Sequence, residues 1–434
     1  MALDAATGTF NVGAGAAAST VVINTLSFQP KAIIFWWNGR TSGSDGLSRQ
    51  THERGCGVVT SPTSRWALSN FSVDAGTSSD ARTAHSDAGC IIGQALTAAE
   101  SGGTNVGDIN ASMDLQSMDV TGFTLVIDNT FPRDFRVHYL ALGGDAITNV
   151  ATGTFTPTGT APFTQSVTSV GFQPTFLMVG CGHAATGTPP SDAGDGGMCI
   201  GMASGADNQG VWAGGSNSAV PTTQTLNYCR SGELVARYNG TITSLQDRAS
   251  LHAFTSNGFD LDWSERGAAG TVFYLALSGL DAFVGDLLTQ TDTVTEIEET
   301  IGFEPSGVLF LSHGAVESTP DLAQDHDLWS MGAATSAASR SAAATHDCDG
   351  ALDAQVTTAS QFDEVYINIG ANGSLVGLMD LVSMDSSGFT TIMDDADPSA
   401  AFVLYAAFGP AAGVPDLPVE GNDAAGTVFN RGFN

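Results

Sequence analysis

The sequence repeats one set of landmarks three times in the same order, and this repetition limits the chain to an architecture of three similar units. Each copy contains a Phe-x-Pro motif before an apolar run, then a Gly-Phe pair, then a tyrosine within an apolar segment. The spacings between these landmarks agree closely among the copies. The landmark residues are Phe28, Pro30, Gly122, Phe123 and Tyr139 in the first copy; Phe172, Pro174, Gly258, Phe259 and Tyr274 in the second; and Phe303, Pro305, Gly388, Phe389 and Tyr405 in the third.

The repeat also sets the expected domain boundaries. The sequence ATGTF occurs at residues 6–10 and again at 151–155, where the second copy begins. The prediction is therefore a first repeat over residues 1–150, a second over 151–286, a third over 287–410 and a C-terminal tail over 411–434. The tail is rich in proline and glycine and too polar to form a core alone, so we expect it to become ordered only against a partner surface.

Strand signals dominate each copy. Proline cannot donate to a central ladder, so a Phe-x-Pro corner before the run AIIFWW at 32–37 is typical of a turn that enters a buried strand. Residues 134–142 alternate between apolar and polar side chains, as a half-buried strand does. The Gly-Phe pairs at Gly258 and Gly388 are predicted to be turns whose glycine needs an unusual φ. These patterns predict an all-β protein of three β-sandwich or jelly-roll-like repeats with an extended C-terminal tail.

Charge excludes several classes of protein. The formal net charge is −31, and Lys31 is the only lysine among 14 basic residues. A phosphate-tracking surface needs clustered cations, so we expect no nucleic-acid binding, and attraction to an anionic membrane is equally disfavoured. The first residues lack the basic and apolar regions of a signal peptide, which predicts synthesis in a cytoplasm without export. A hydrophobic content of 42% nevertheless allows large cores.

Cysteine placement favours free thiols. Cys56 and Cys199 are taken as matching positions, and the third copy carries Met331 there. A small core residue exchanges readily with methionine, whereas a disulfide partner does not. The alternatives left open are bridges Cys56–Cys90 and Cys199–Cys229. A zinc site is disfavoured because no CxxC or His-x-His spacing occurs.

No catalytic or cofactor-binding residue is predicted, and no cofactor is expected, since the usual nucleophile, metalloprotease and phosphate-loop motifs are missing from the sequence. Acidic pairs are the one suggestive polar feature, because carboxylate oxygens bind hard cations such as calcium. We interpret them as solvated surface carboxylates and leave metal binding open. The pairs or clusters are Asp192 and Asp195; Asp325 and Asp327; Asp347 and Asp349; and Asp394, Asp395 and Asp397.

At its landmarks the chain resembles surface or tail-associated virion proteins of tailed bacteriophages and prophages, whose repeats begin with a strand, a Gly-Phe-x-Pro corner and a run of Val, Ile and Phe. The resemblance covers about residues 6–410, and Ser27 replaces the corner glycine in the first copy, so that corner is expected to differ. It implies a non-enzymatic structural protein of the virion surface, either a head decoration or spike or a tail-tip or fibre protein. Other virion proteins and further copies of the chain would be its partners.

Tandem copies independently predict a pseudo-threefold or elongated object of the kind found on symmetric particles. The alternative function is an adhesin module that binds a receptor or a cell-surface glycan, and the third is a glycan-degrading enzyme. A shared aromatic loop would favour the adhesin, and a carboxylate pair at one position in every copy would favour the enzyme. Neither pattern occurs in the sequence.

Overall fold

The structure is a computed structural model of the 434-residue chain. It describes residues 1–13, 16–39, 46–49, 52–73, 81–94, 109–131, 135–182, 191–217, 220, 222–239, 241–267, 270–319, 324–350 and 355–411. All regular structure in these ranges is β-strand, which confirms the predicted all-β class. Within the same ranges there is no helix long and apolar enough to cross a membrane.

The strands divide into three sets of eleven. Repeat 1 contains β1 (Asp4–Val12), β2 (Thr20–Ile23), β3 (Pro30–Trp37), β4 (Gly46–Arg49), β5 (His52–Ser61), β6 (Ser64–Ser72), β7 (Ala81–Ser86), β8 (Ile91–Gln94), β9 (Ile109–Asp119), β10 (Gly122–Asn129) and β11 (Phe135–Gly143). Repeat 2 contains β12 (Asn149–Phe155), β13 (Phe163–Val167), β14 (Phe176–Gly182), β15 (Ser191–Gly194), β16 (Gly196–Gly205), β17 (Asn208–Ser216), β18 (Thr225–Ser231), β19 (Val235–Tyr238), β20 (Leu245–Thr255), β21 (Gly258–Glu265) and β22 (Val272–Ser278). Repeat 3 contains β23 (Asp281–Leu288), β24 (Glu296–Thr300), β25 (Gly307–Ser312), β26 (Gln324–Asp325), β27 (Asp327–Ser336), β28 (Ser339–Asp347), β29 (Val356–Gln361), β30 (Tyr366–Ile369), β31 (Leu375–Asp385), β32 (Gly388–Asp395) and β33 (Phe402–Gly409).

Each repeat is a sandwich of a large and a small antiparallel sheet. In repeat 1 the small sheet has the order β2-β10-β9-β8, and the two other repeats copy it as β13-β21-β20-β19 and β24-β32-β31-β30. The large sheets have seven strands, in the orders β1-β11-β3-β5-β6-β7-β15, β12-β22-β14-β16-β17-β18-β26 and β23-β33-β25-β27-β28-β29-β4.

The seventh strand of every large sheet comes from another repeat. Strand β15 of repeat 2 pairs with β7 of repeat 1, β26 of repeat 3 pairs with β18 of repeat 2, and β4 of repeat 1 pairs with β29 of repeat 3. Each exchanged strand lies in the connection that follows the strand behind the Phe-x-Pro corner. The three exchanges close a ring, so the repeats form one molecule around a pseudo-threefold axis.

The large sheets are buried on both faces. Alternate residues of β3 show this: Ile33, Phe35 and Trp37 pack inside the sandwich of repeat 1, whereas Ile34 and Trp36 join a cluster shared by all three repeats. This shared cluster, called here the central core, also contains Trp212 of repeat 2. Burial on both faces explains why the strand is a continuous apolar run rather than an alternating one.

The two ends of the molecule differ. Tight turns join β5 to β6, β16 to β17 and β27 to β28 at the end that also holds the Phe-x-Pro corners, called here the turn end. The exchanged connections begin at the opposite end, called here the loop end, where β3, β14 and β25 finish. Strand β33 runs towards the turn end and finishes there at Gly409, which pairs with Asp281.

The repeat boundaries follow from the pairing. Strand β12 begins at Asn149, next to the expected start of the second repeat at 151. Strand β23 begins at Asp281 and pairs with β33 of repeat 3, so the third sheet begins before the expected boundary at 286. The expected tail, residues 411–434, lies outside the described residues except for Ala411.

Candidate functional site

The Gly-Phe and tyrosine landmarks meet inside each sandwich. The ring of Phe123 packs edge-on against Tyr139, with centroids 5.3 Å apart, and Phe389 packs in the same way on Tyr405 at 4.9 Å. The second repeat repeats the contact between Phe259 and Tyr274. All these rings are buried, so these landmarks form the core that joins the two sheets.

All three landmark glycines are required by space, and only Gly122 also has a positive φ, of +151°. Neither Gly258 nor Gly388 has a positive φ, so the sequence-based reason was wrong for these two positions. A Cβ at Gly258 would lie 1.8 Å from the carbonyl oxygen of Val167 on the neighbouring strand, and one at Gly388 would lie 1.7 Å from that of Glu299. The close approach of two strands therefore demands glycine.

The Phe-x-Pro corners lie at the turn end. Gly171 and Gly302, which precede Phe172 and Phe303, have φ values of +84° and +87° and open space around their α-carbons. Ser27 is not among the described residues of positive φ, so the first corner differs as expected. The prolines Pro30, Pro174 and Pro305 are buried at the entry to the central strands.

The three repeats meet at a buried polar cluster that the sequence did not predict. Strands β6, β17 and β28 have equal lengths and end at Ser72, Ser216 and Asp347. The hydroxyls of Ser72 and Ser216 both donate to Oδ2 of Asp347, each at 2.6 Å. These three side chains are almost completely buried, and they join one residue from each repeat across the axis. With Arg54 and Asp327 they are called here the axial junction.

Arg54 and Asp327 form the second part of the axial junction. The guanidinium of Arg54, in repeat 1, donates Nη1–H to Oδ1 of Asp327 at 2.9 Å and Nη2–H to Oδ2 at 2.5 Å. Asp327 belongs to repeat 3, and the same guanidinium lies 4.9 Å from the ring centroid of Trp212 in repeat 2. Gly214 leaves room for this ion pair, because a Cβ there would lie 2.2 Å from Oδ1 of Asp327.

Burial controls the protonation of the axial junction. It raises the pKa of Asp347 to about 7, although the two serine hydroxyls and Arg54 oppose the shift. Its second oxygen, Oδ1, has no hydrogen-bond partner among the described residues. Burial also raises the pKa of Asp327, against the attraction of Arg54. Removing one partner of such a buried pair typically costs about 3–5 kcal/mol, so the junction ties the repeats in one arrangement.

The interpretation of the acidic clusters as solvated surface carboxylates was therefore wrong for Asp327 and Asp347. It was wrong for Asp397 too, which is buried and accepts hydrogen bonds from the hydroxyls of Thr289 and Tyr366. Burial raises the pKa of Asp397. The interpretation as surface carboxylates agrees with the structure for Asp325, Asp394 and Asp395, which are exposed.

The remaining acidic candidates carry no metal site that the structure describes. Asp195 and Asp349 are half-buried, and the side chain of Asp192 lies outside the described part of the chain. A carboxylate oxygen of Asp349 accepts the backbone N–H of Thr225 at 2.8 Å, which links repeats 3 and 2. Within the described residues, no group of three or more His, Cys, Asp or Glu side chains is arranged to hold a metal ion.

Four histidines of the described residues are buried in the interior, whereas His252 is exposed. His138 stacks between Trp36 and Phe362, and burial lowers its pKa to about 3. His313 and His346 line a cavity of about 170 Å³ at the border of repeats 2 and 3. Burial lowers the pKa of each of these two to about 3, so both are neutral near pH 7.

All six cysteines carry free thiols, and five are buried. The ladders correct the match made from sequence: Cys56 lies opposite Trp36, whereas Cys199 lies opposite Cys181 on the adjacent strand. When the three large sheets are aligned at Tyr139, Tyr274 and Tyr405, Cys56 is equivalent to Ile200 and Met331. Burial raises the pKa of Cys56 far above that of an ordinary thiol, so this side chain acts as an apolar core residue.

Comparison of the chain with protein-family models and with curated protein sequences gives no match. Its class is therefore defined by its own architecture. It is an all-β protein of three sandwich repeats closed around a buried pseudo-threefold axis.

Proposed function

We propose that the chain is a non-enzymatic structural component of a tailed-phage virion, exposed on the particle surface and held there by other virion proteins and by further copies of itself. The observation that carries this proposal is the closed ring of three repeats with exchanged strands and a common core. A single chain of this form offers three similar faces around one axis, so it matches a threefold position or a threefold partner on a symmetric particle. The resemblance of the landmark motifs to those of virion proteins supports the same role.

The distribution of charge supports an exposed position. Some cations of the described residues are engaged within the molecule: Arg54 and Arg237 are buried in ion pairs with Asp327 and Asp247, and the half-buried Lys31 donates to the carbonyl oxygen of Ile147. The surface is left with a strong excess of carboxylates from a net charge of −31. Such a surface keeps a particle soluble and repels other acidic surfaces.

The competing functions receive less support. Glycan-binding modules commonly stack sugars on exposed aromatic rings, but all six tryptophans of this chain are at most 1% exposed. A glycan-degrading enzyme needs carboxylates that a substrate can reach, whereas Asp327 and Asp347, two of the carboxyls whose pKa is raised, are fully buried at the axis. An adhesin role for the loop end stays the second proposal, and a glycan-degrading enzyme stays the third.

The test is to look for the protein in particles purified from cells that carry the gene, using mass spectrometry followed by electron microscopy with a labelled antibody. We expect a constant number of copies per particle and labelling at the surface, whose position separates head from tail. Recovery of the protein only in the particle-free fraction would refute the virion role.

A further inference from the structure

An open groove of about 390 Å³ lies at the turn end between repeats 2 and 3. Its wall is mainly apolar and includes three half-buried phenylalanine rings. The larger apolar residues that line it are Pro174, Phe254, Leu280, Phe283, Ile301 and Phe303. Pro174 and Phe303 belong to the Phe-x-Pro corners of repeats 2 and 3, so part of each of these two corners lines this groove.

The chain leaves the last described strand at the rim of this groove. Gly409, at the end of β33, pairs with Asp281, which also lines the groove. The ring of Phe303 lies directly against Gly409, because a Cβ on that glycine would be 2.3 Å from its Cδ2 atom. Residues 412–434 therefore start beside the groove, and their local concentration there is high without any second molecule.

The first part of the tail has the composition that aromatic grooves bind. Residues 412–418 read AGVPDLP, with prolines at 415 and 418. Prolines at this spacing favour the polyproline II conformation, which repeats every three residues and places Val414 and Leu417 on one side. Segments of this type bind grooves lined by aromatic rings, and their preformed conformation lowers the entropy cost of binding.

We propose that this groove is the docking site for residues 412–418 of the same chain, with Val414 and Leu417 as its apolar anchors. Docking in this way covers the half-buried phenylalanine rings of the groove and fixes where the remainder of the tail, residues 419–434, begins. The inference does not depend on the virion role, because it concerns a contact within one chain.

The test uses the full-length chain and a fluorescent peptide with the sequence of residues 411–420. We expect the peptide to bind a full-length variant that carries Val414→Asp and Leu417→Asp, because its own anchors are lost and the groove is free. Binding to the unchanged chain should be at least about tenfold weaker, since the native tail competes for the site. Deuterium uptake at residues 280–283 and 301–303 should slow when the peptide is added to the variant.

Two controls match this experiment. A full-length variant with Val428→Asp and Phe429→Asp, later in the tail, should exclude the peptide as the unchanged chain does. A peptide with Asp at both anchor positions should bind neither protein. The proposal is overturned if the peptide does not bind the anchor variant, if it binds the unchanged chain equally well, or if protection appears elsewhere. A dimer that dissociates in the anchor variant would overturn it as well, because the groove would then hold the tail of a second copy.

Discussion

Single residues decide how the three repeats are held together, and the decisive ones are ionisable. Asp347 accepts hydroxyl groups from two other repeats, and Arg54 connects repeat 1 to Asp327 while lying over a tryptophan of repeat 2. Sequence analysis places charged residues on the surface by default, because an unpaired buried charge is very costly. Nothing in the local sequence shows that the partners come from other repeats, so these residues were not predicted.

Replacing Asp347 by asparagine should change how stability depends on pH. The folded-state pKa of this carboxyl is about 7, above its ordinary value of 3.8. The folded protein therefore retains a proton that the unfolded chain loses, and the stability that this proton provides is complete below about pH 4 and lost as the pH rises through about 7. The slope reaches at most about 1.4 kcal/mol per pH unit.

Asparagine keeps an oxygen acceptor for both serines and cannot ionise. The Asp347→Asn variant should therefore lose less stability than the unchanged protein between pH 5 and pH 8, and it should be the more stable of the two at pH 8. Chemical denaturation across this range measures the difference. Asp145→Asn, at an exposed position, is the matched control and should leave the slope unchanged. Parallel pH profiles for the two variants would contradict the role assigned to Asp347.

The landmark glycines lead to a second prediction about single residues. Gly258→Ala should destabilise the protein by at least about 2 kcal/mol, because the added Cβ would collide with the backbone carbonyl oxygen of Val167. Gly205→Ala is the control, since a Cβ there has only one neighbouring atom, 4.0 Å away. Urea denaturation of both variants is the measurement, and an equally small effect at the two positions would show that the strand approach is not the constraint.

At the scale of strands, the sequence predicts the sandwich well and the exchange not at all. The runs at β3, β14 and β25 are long and apolar, and the Gly-Phe and tyrosine positions repeat, so their burial could be expected. The exchanged strands are short and rich in small or polar residues: GLSR, SDAG and QD. They have no alternating pattern, and their partners lie in a different repeat. The third repeat was predicted to begin at residue 287 rather than at Asp281, because no copy of ATGTF marks the start of β23.

Because each exchanged strand pairs with a strand of another repeat, a substitution in an exchanged strand should destabilise the repeat with which that strand pairs. Ala193→Pro removes a backbone N–H from β15, which pairs with β7 of repeat 1. Hydrogen–deuterium exchange at residues 81–86 should accelerate, although the substitution is in repeat 2. The paired control is Ala193→Gly, which retains the N–H and should protect residues 81–86 far better. If the proline variant accelerates exchange only within repeat 2, the strand pairing is wrong.

The whole molecule is a ring in which the links between repeats are short. Residues 144–148 join β11 to β12, and residues 279–280 join β22 to β23. Strand β1 packs on β27 and β28 of repeat 3, which is the same kind of contact that β12 makes with β5 and β6 of repeat 1. The pseudo-threefold arrangement therefore brings the end of β33 close to the start of β1.

A circular permutant should therefore fold. A chain that begins at Asp145, joins Gly409 to Ala2 by a short glycine-serine linker and ends at Gly144 keeps every strand, every exchange and the buried core residues Ala146 and Ile147. It should have a strand-rich circular dichroism spectrum and a Tm within several degrees of the unchanged protein. The isolated segment 149–280 is the comparison. It should be insoluble or unfolded, because it lacks the β26 pairing and exposes its face of the central core. A stable, soluble isolated repeat would argue against a shared core.

Charge acts on the molecule as a whole. A net charge of −31 repels itself, and salt reduces this repulsion as the Debye length falls from about 10 Å at 0.1 M to about 3 Å at 1 M. The Tm should therefore rise over this range of NaCl concentration. Scanning calorimetry checks this, with choline chloride as a control for a specific sodium effect. A Tm that stays constant or falls in both salts would show that charge repulsion does not limit the thermal stability.

The serine, serine and aspartate at the ends of β6, β17 and β28 have a consequence for how such a ring can be encoded. Three identical subunits would place the same side chain at all three positions, so an aspartate on the axis would lie against two other aspartates in a buried space. When the three copies are joined in one chain, their sequences can differ from one another. The axis can then hold one carboxylate and two donors, a combination that a homotrimer of identical chains has no means of producing.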